Sequence, residues 1–350
     1  MKVLCLKVEL KNAQAALGLA KSKFALSFEF KPQKTKDQKH LLIPLTRKIA
    51  VNFAHSFEKI ELTSERKPKD LKTALTRNGF AAEELELVNR SFEHLGNIAI
   101  IEVPAELRGK EKLIAKCVLE VNPSISTVLK KESAMTGKYR VRKFKHLAGK
   151  KTTIATYKEN NVLIRVDLAK VYYSTRLAFE RNRIATTVKP KETVIVFFAG
   201  CGPFGLAIAK AQPKAKVIGI ELNKTACKYF NENVKLNKLE NCEVIQGDVH
   251  KLAERFARSA TRVVMPLPHT ASEFLQDAFA VAASGAVIHY YGFGPFRTLE
   301  GERLDPFEEQ IQLVEKECSK AKRKCKVIEK RIARPYSPTE VQVALDVKVI

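Results

Sequence analysis

Acidic residues are in short supply: 38 Asp and Glu stand against 62 Lys and Arg, leaving a net charge of +24. That excess is more than solubility requires and points to a polyanionic partner, nucleic acid above all. A surface adapted to heat or salt would enrich both signs together. Cysteine provides no framework. The seven (Cys5, Cys117, Cys201, Cys227, Cys242, Cys318 and Cys325) are odd in number and never spaced CxxC, so neither a disulfide scaffold nor a zinc site is indicated. A reducing cytoplasmic setting is expected. The seven His are dispersed without HExxH or another paired spacing, so no catalytic metal is expected. No apolar run approaches the length of a membrane span, and the N-terminal residues lack the basic, apolar and small-residue order of a signal peptide. No internal repeat or low-complexity segment occurs.

What is present falls into three regions. Residues 1–65 read as a small mixed module: MKVLCLKVEL begins as a strand, AQAALGLAKS is helical, and HLLIPLT and IAVNFA supply further apolar runs. The polar, Pro68-containing stretch SERKPKDLK predicts a linker, followed by an amphipathic helix in LKTALTRNGFAAEELELVNRSF. Residues 66–152 hold the strand NIAIIEV, the helical EKLIAKCVLEV and a basic tract. Between Lys130 and Lys151 nine Lys or Arg face one acid, Glu132, with Tyr139 and Phe144 interleaved, a composition suited to a phosphate backbone. Residues 153–350 alternate strands (VIVFF, VIGIE, EVIQ, RVVM, AVIHY) with helical stretches (GLAIAKAQ, KTACKYFNENVKLN, ASEFLQDAFAVAA), the order of a parallel sheet covered on both faces. CKVIEKRIAR and VQVALDVKVI, separated by PYSPT, predict an antiparallel hairpin at the sheet edge. The fold expected is α/β, a doubly wound Rossmann-like sheet preceded by two smaller α+β domains.

FAGCGPFG follows the first of these strands, and Gly200, Gly202 and Gly205 satisfy GxGxxG. Glycine lets backbone turn tightly and approach a ligand at the carboxyl end of a strand. The loop alone suits a dinucleotide as well as S-adenosylmethionine. Glu221 ends the second strand, where a carboxylate can accept two ribose hydroxyls, and Asp248 follows the third, where it can help hold an adenine edge. Two successive strand-end acids favour S-adenosylmethionine.

VYYSTRLAFERNRI, FAGCGPFG, IELN and HYYGF, with FEHLGNIAIIEVP and VNPSISTVL further upstream, resemble the archaeal and eukaryotic family of tRNA guanosine-37 N1-methyltransferases. The resemblance spans about residues 66–350; the N-terminal module is similar only loosely to a family domain that docks on the outer corner of tRNA. It implies a class I methyltransferase acting on the anticodon loop, working as a monomer. Guanine N1 carries a proton that a base must remove while negative charge is stabilised at O6. By resemblance the base is Glu180 and the cationic stabiliser Arg140, with Arg142 close by as the alternative. The implied cofactor contacts are Arg181, Phe198, Gly200, Gly202, Pro203, Phe204, Glu221, Leu222, Asp248, Val249, Pro266 and Pro268.

Two positions depart from the family. MPLPHT places Pro266 where Asn usually stands, removing a side-chain amide from the base pocket. Val196 occupies a position where Asp is usual. The first departure resembles an archaeal branch that methylates C7 of 4-demethylwyosine (imG2) in tRNA(Phe). Both methylations are therefore expected as candidates. Rival readings are an aminocarboxypropyl transferase on the same fold, a nicotinamide-dependent oxidoreductase using the glycine loop, and a non-catalytic RNA chaperone.

Overall fold

The computed structural model describes residues 2–27, 30–62, 68–89, 91–133, 137 and 139–350. Residues 64–67 of the expected linker, with the expected 65/66 boundary, and Lys138 of the basic tract lie outside them. Contacts divide the chain into two compact units, residues 1–85 and 86–350.

In the first unit β1 (Lys2–Glu9) buries apolar side chains on both faces, Leu6 and Val8 on one and Val3 and Cys5 on the other, and pairs antiparallel with β3 (His40–Pro44) and β4 (His55–Glu61), while β2 (Gln33–Lys34) extends the edge beside β3. Helix α1 (Ala13–Ser22) turns Ala16 and Ala20, one turn apart, into a core with Leu6, Val8 and Ile43. IAVNFA is not a strand. Its Ile49, Val51 and Phe53 pack on that core from irregular backbone, and the strand forms in the more polar residues that follow, where β1 offers a free edge. The long helix expected after the linker is two short ones, α2 (Leu71–Arg77) and α3 (Ala82–Leu87). Asp70 caps α2 by accepting a hydrogen bond from the Thr73 amide at 2.7 Å, and Gly79 at φ +80° stops it.

The second unit opens with a sheet in the order β5 (Glu93–Leu95), β6 (Ile98–Ile101), β7 (Thr127–Lys131) and β8 (Phe144–Gly149). Helix α4 (Glu111–Val121) turns Ile114, Ala115, Cys117 and Val118 inward. Its buried Glu111 pairs with Lys130 at 2.5 Å and Lys145 at 3.0 Å, and Lys131 pairs with Glu93 and Glu102, so part of the basic tract is held by acids within the unit. The hairpin of β9 (Ile154–Glu159) and β10 (Val162–Asp167) turns on Asn160 and Asn161, both at positive φ.

Helix α5 (Ala178–Thr187) leads into the large sheet. Its strands β11 (Thr193–Phe197), β12 (Lys216–Glu221), β13 (Cys242–Gln246), β14 (Ala260–Met265), β15 (Ala282–Pro295), β16 (Cys325–Pro335) and β17 (Glu340–Val349) lie in the order 13-12-11-14-15-17-16. The first five are parallel, while β17 runs antiparallel to both β15 and β16, giving the expected edge hairpin. The apolar strands read as continuous runs because both faces are covered. Val194 and Val196 face a core with α5, α6 (Pro203–Ala211) and α7 (Lys224–Leu236), whereas Ile195 and Phe197 face one with α8 (Val249–Leu252), α9 (Leu275–Val281) and α10 (Glu308–Lys320). The chain winds outward from β11 to β13 and then returns to β14 on the other side of β11. That reversal leaves a crevice at the carboxyl ends of β11 and β14. Among the described residues no helix is long and apolar enough to cross a membrane.

Candidate active site

Two cavities, of about 550 and 580 Å³, adjoin at these strand ends within the second unit; Arg140, Val171, Tyr172 and Leu267 line both. Phe198, Gly200, Glu221, Leu222, Asp248 and Val249 line the first cavity, joined by Asn223, His250, Thr270 and Phe274. Pro266, Pro268, Arg142, His269, Phe293, Arg334, Tyr336 and Gln342 line the second.

Glu221 is fixed by backbone. Its carboxylate accepts the Gly200 amide at 2.8 Å and the Asn223 amide at 2.7 Å, and burial outweighs these bonds enough to raise its pKa above the usual carboxylate value. A carboxylate so held keeps lone pairs for ligand hydroxyls. Asp248 caps the short α8 through the His250 amide at 3.1 Å. In the same cavity the His250 ring stacks on Phe274 at 4.1 Å, and Phe274 meets Phe198 edge-on at 4.7 Å, an aromatic wall suited to a heteroaromatic ring.

The loop glycines serve different ends. Gly200, at φ +59°, lines the cavity, but a Cβ on Gly202, at φ +93°, would stand 2.1 Å from the Phe230 ring, and one on Gly205 would stand 2.8 Å from it. Those two glycines let Phe230 pack beneath the loop. Gly202, Pro203 and Phe204 begin α6 and line neither cavity. Arg181 is also set back: it is buried, paired with Glu159 at 2.7 Å, donates to the Ser174 carbonyl at 3.1 Å, and lies against Tyr173 and Phe204. Val196 is a core residue of β11.

Arg140, held at φ +52° and 5.7 Å from the Tyr172 ring, stands where the two cavities meet. Glu180 lies two residues into α5, just past the Ser174–Leu177 segment that lines the second cavity, yet it lines neither cavity itself. It is 1% exposed and accepts hydrogen bonds from the Tyr291 hydroxyl at 2.7 Å and Arg183 Nε at 3.0 Å.

Strand register explains this arrangement. Facing residues of β15, β17 and β16 form rows on one sheet face: Phe293, Gln342 and Arg334; then Tyr291, Ala344 and Arg331; then His289, Asp346 and Glu329. The first row bounds the cavity, the second meets Glu180, and the third continues an ion network. Arg183 grips Asp346 at 2.6 and 3.2 Å, Asp346 accepts His289 Nδ1 at 2.7 Å, and Arg262 lies 2.7 Å from His289 Nε2. A guanidinium can only donate, so Nε2 accepts and the proton sits on Nδ1. The imidazole is neutral, and burial depresses its pKa.

Sequence reasoning missed the aromatic and amide lining: Phe274, His269, Phe293, Tyr336 and Gln342. Asn223 was legible, since an Asn just before a helical pattern marks an N-cap, and it accepts the Thr225 amide at 2.9 Å.

Residues 155–328 match the model of the TRM5/TYW2 methyltransferase domain, and residues 71–152 that of the TYW2 N-terminal domain. The chain is 40% identical over 260 residues, 74% of either protein, to the tRNA (guanine(37)-N(1))-methyltransferase Trm5b of Pyrococcus abyssi. It is 34% identical over 203 residues, 58% of this chain and 77% of the relative, to the tRNA 4-demethylwyosine(37)-methyltransferase Taw21 of Saccharolobus solfataricus. Among solved structures, a complex of aTrm5 with tRNALeu matches 99% of this chain and 100% of that one at 29% identity and TM-score 0.70. TYW2 of M. jannaschii in complex with AdoMet matches 74% of this chain and 99% of that one at 26% identity and TM-score 0.57. The domain match runs through the glycine loop and both strand-end acids, and with such identity over that share of a full relative this chain belongs to the TRM5/TYW2 family of methyltransferases.

Proposed function

We propose that the protein transfers the methyl group of S-adenosylmethionine to the purine at position 37 of a tRNA, at guanine N1, at C7 of 4-demethylwyosine, or at both. One observation carries the reading: a cavity with carboxylates at two strand ends opens, past Arg140 and Tyr172, onto a second cavity lined by cations and aromatic rings. The first has the size and lining of a nucleoside-cofactor site. Glu221 accepts the ribose hydroxyls, Asp248 with Val249 holds the adenine edge, and Phe198, Gly200 and Leu222 close the walls. The bound cofactor supplies an electrophilic methyl on a sulfonium. Arg181, Gly202, Pro203 and Phe204 act from behind the wall by holding the loop.

The target purine leaves its stack and enters the second cavity, with Pro266 and Pro268 along its side. Arg140, at the junction, stabilises charge developing on O6. Glu180 takes the N1 proton, which requires its carboxylate to turn from Tyr291 and Arg183 toward the cavity; such a shift between the free and substrate-bound enzyme is in keeping with general bases elsewhere. Exposed Lys143, Lys150 and Lys151 contact phosphates. We assign residues 1–65 to docking on the outer corner of tRNA, 66–152 to a basic RNA-binding middle domain and 153–350 to the methyltransferase domain. The family-model boundary between residues 152 and 155 supports the second division. The protein works as a monomer in the cytoplasm, reaching the anticodon loop.

Pro266 and the likeness to Taw21 favour the wyosine methylation as a second reading. TYW2 likeness also keeps aminocarboxypropyl transfer in view. One experiment separates them: the protein is incubated with tRNA and S-adenosylmethionine labelled either in the methyl or in the carboxyl carbon. Methyl label alone should enter the RNA; carboxyl label alone would replace methyl transfer by aminocarboxypropyl transfer, and no label on guanosine-37 or imG2-37 tRNA would sink both.

A further inference from the structure

Gln342 is fully buried on β17, in the row whose other members, Phe293 and Arg334, line the second cavity with it. Its Oε1 accepts Arg334 Nε at 2.8 Å, which fixes the orientation of the amide, because a guanidinium has no acceptor to offer the other end. Its Nε2 therefore carries two N–H groups, and it has no hydrogen-bond partner among the described residues. Buried donors without a partner are uncommon and costly; this one is closed off in the free protein, and because Gln342 borders the cavity, a shift of its amide as the base enters would give it a ligand acceptor.

We infer that Gln342 Nε2 is a specificity-determining donor to the acceptor edge of the target purine. Guanine presents adjacent acceptors, O6 and N7, whereas adenine presents an amino group beside N7. A neutral amide fixed by Arg334 can meet the first edge and is poorly matched to the second. Pro266, on the same cavity, has no side-chain donor, so the amide missing from that loop is returned from a different strand. Phe293, Tyr336 and His269, with ring centroids 4.4 to 5.8 Å apart, form the apolar ground beside it. The inference rests on the reading of this cavity as the purine site.

Two variants isolate the donor. Gln342→Glu keeps an acceptor for Arg334 while removing the N–H groups; Gln342→Met removes both. Each is measured for kcat/KM on tRNA with guanine at position 37, and for affinity toward that tRNA and the same tRNA abasic at 37. The expected result is a loss of roughly tenfold or more in kcat/KM for both variants. The ratio of guanine-37 to abasic affinity should shrink as well, with abasic-tRNA binding, cofactor affinity and Tm near wild type. Wild-type kcat/KM in both variants, or equal loss of affinity for the two RNAs, overturns the inference while leaving the function standing. A wild-type protein that methylates no tRNA brings down the purine-site reading and this inference together.

Discussion

Glu221 spends both carboxylate oxygens on the amides of Gly200 and Asn223 and still fronts the cavity, so its removal disturbs ligand and loop together. Glu221→Ala should weaken S-adenosylmethionine binding by about tenfold to a hundredfold, since hydrogen bonds to a charged group contribute about 1.5 to 3 kcal/mol. Calorimetry checks this, and unchanged affinity would remove Glu221 from the cofactor's contacts. Glu180→Gln should lower kcat by about a hundredfold or more while tRNA affinity stays near wild type. Loss of stability and affinity on the same scale as kcat would instead make Glu180 a structural member of the Tyr291 and Arg183 network. Glu221 and Asp248 could be read from sequence because each follows a strand-length apolar run. Gln342 could not, because its half-paired amide, with Nε2 lacking a partner among the described residues, exists only through the register of three strands, two of them more than thirty residues apart.

Elements were legible wherever period and punctuation agreed: the sheet strands from β11 onward and helices α1, α4, α6 and α7 arise where the apolar pattern predicts them. The exception has a local cause. Gly79 breaks one expected helix into two, whereas IAVNFA, read only as an apolar run, does partly bury Ile49, Val51 and Phe53 though it forms no strand. A further feature escapes pattern reading altogether. Asn233 on α7 and Asn237, which caps its C-terminal end, use their amides to pair with the backbone of Arg165 and Leu163 at 2.7 to 3.0 Å, covering the edge of β10 as another strand would. Asn233 also donates to the Cys201 carbonyl in the glycine loop at 3.0 Å. Asn233→Ala should therefore cost about 2 to 3 kcal/mol by stranding buried backbone groups, measurable by denaturant titration, and should weaken cofactor binding as well. Wild-type stability would contradict that account.

At the scale of the whole molecule, charge and burial act on binding and on stability. With a net charge of +24, tRNA binding should weaken steeply with salt, with log Kd linear in log salt concentration. A flat dependence would contradict a phosphate grip. Stability should fall on acidification through the ion network around β15 and β17. His289 is buried neutral with its pKa below 6.5, so beneath that pH the unfolded chain binds a proton that the folded chain refuses. Asp346, whose pKa its His289 and Arg183 partners hold below 3.8, adds its own loss only once the pH falls beneath 3.8, where the unfolded carboxyl takes up a proton first. Tm should drop between pH 7.5 and 5.5, and less so in His289→Asn; a Tm that rises over this interval would contradict the neutral imidazole.

The two adjoining cavities make a demand that covers the account as a whole: a methyl group held in one must arrive on a base held in the other. Nucleoside mass spectrometry of tRNA treated with the protein and methyl-labelled S-adenosylmethionine tests it directly. The account predicts label confined to position 37, as N1-methylguanosine or the C7-methylated tricyclic nucleoside. Label at any other position, or none at 37 with both substrates present, would contradict it.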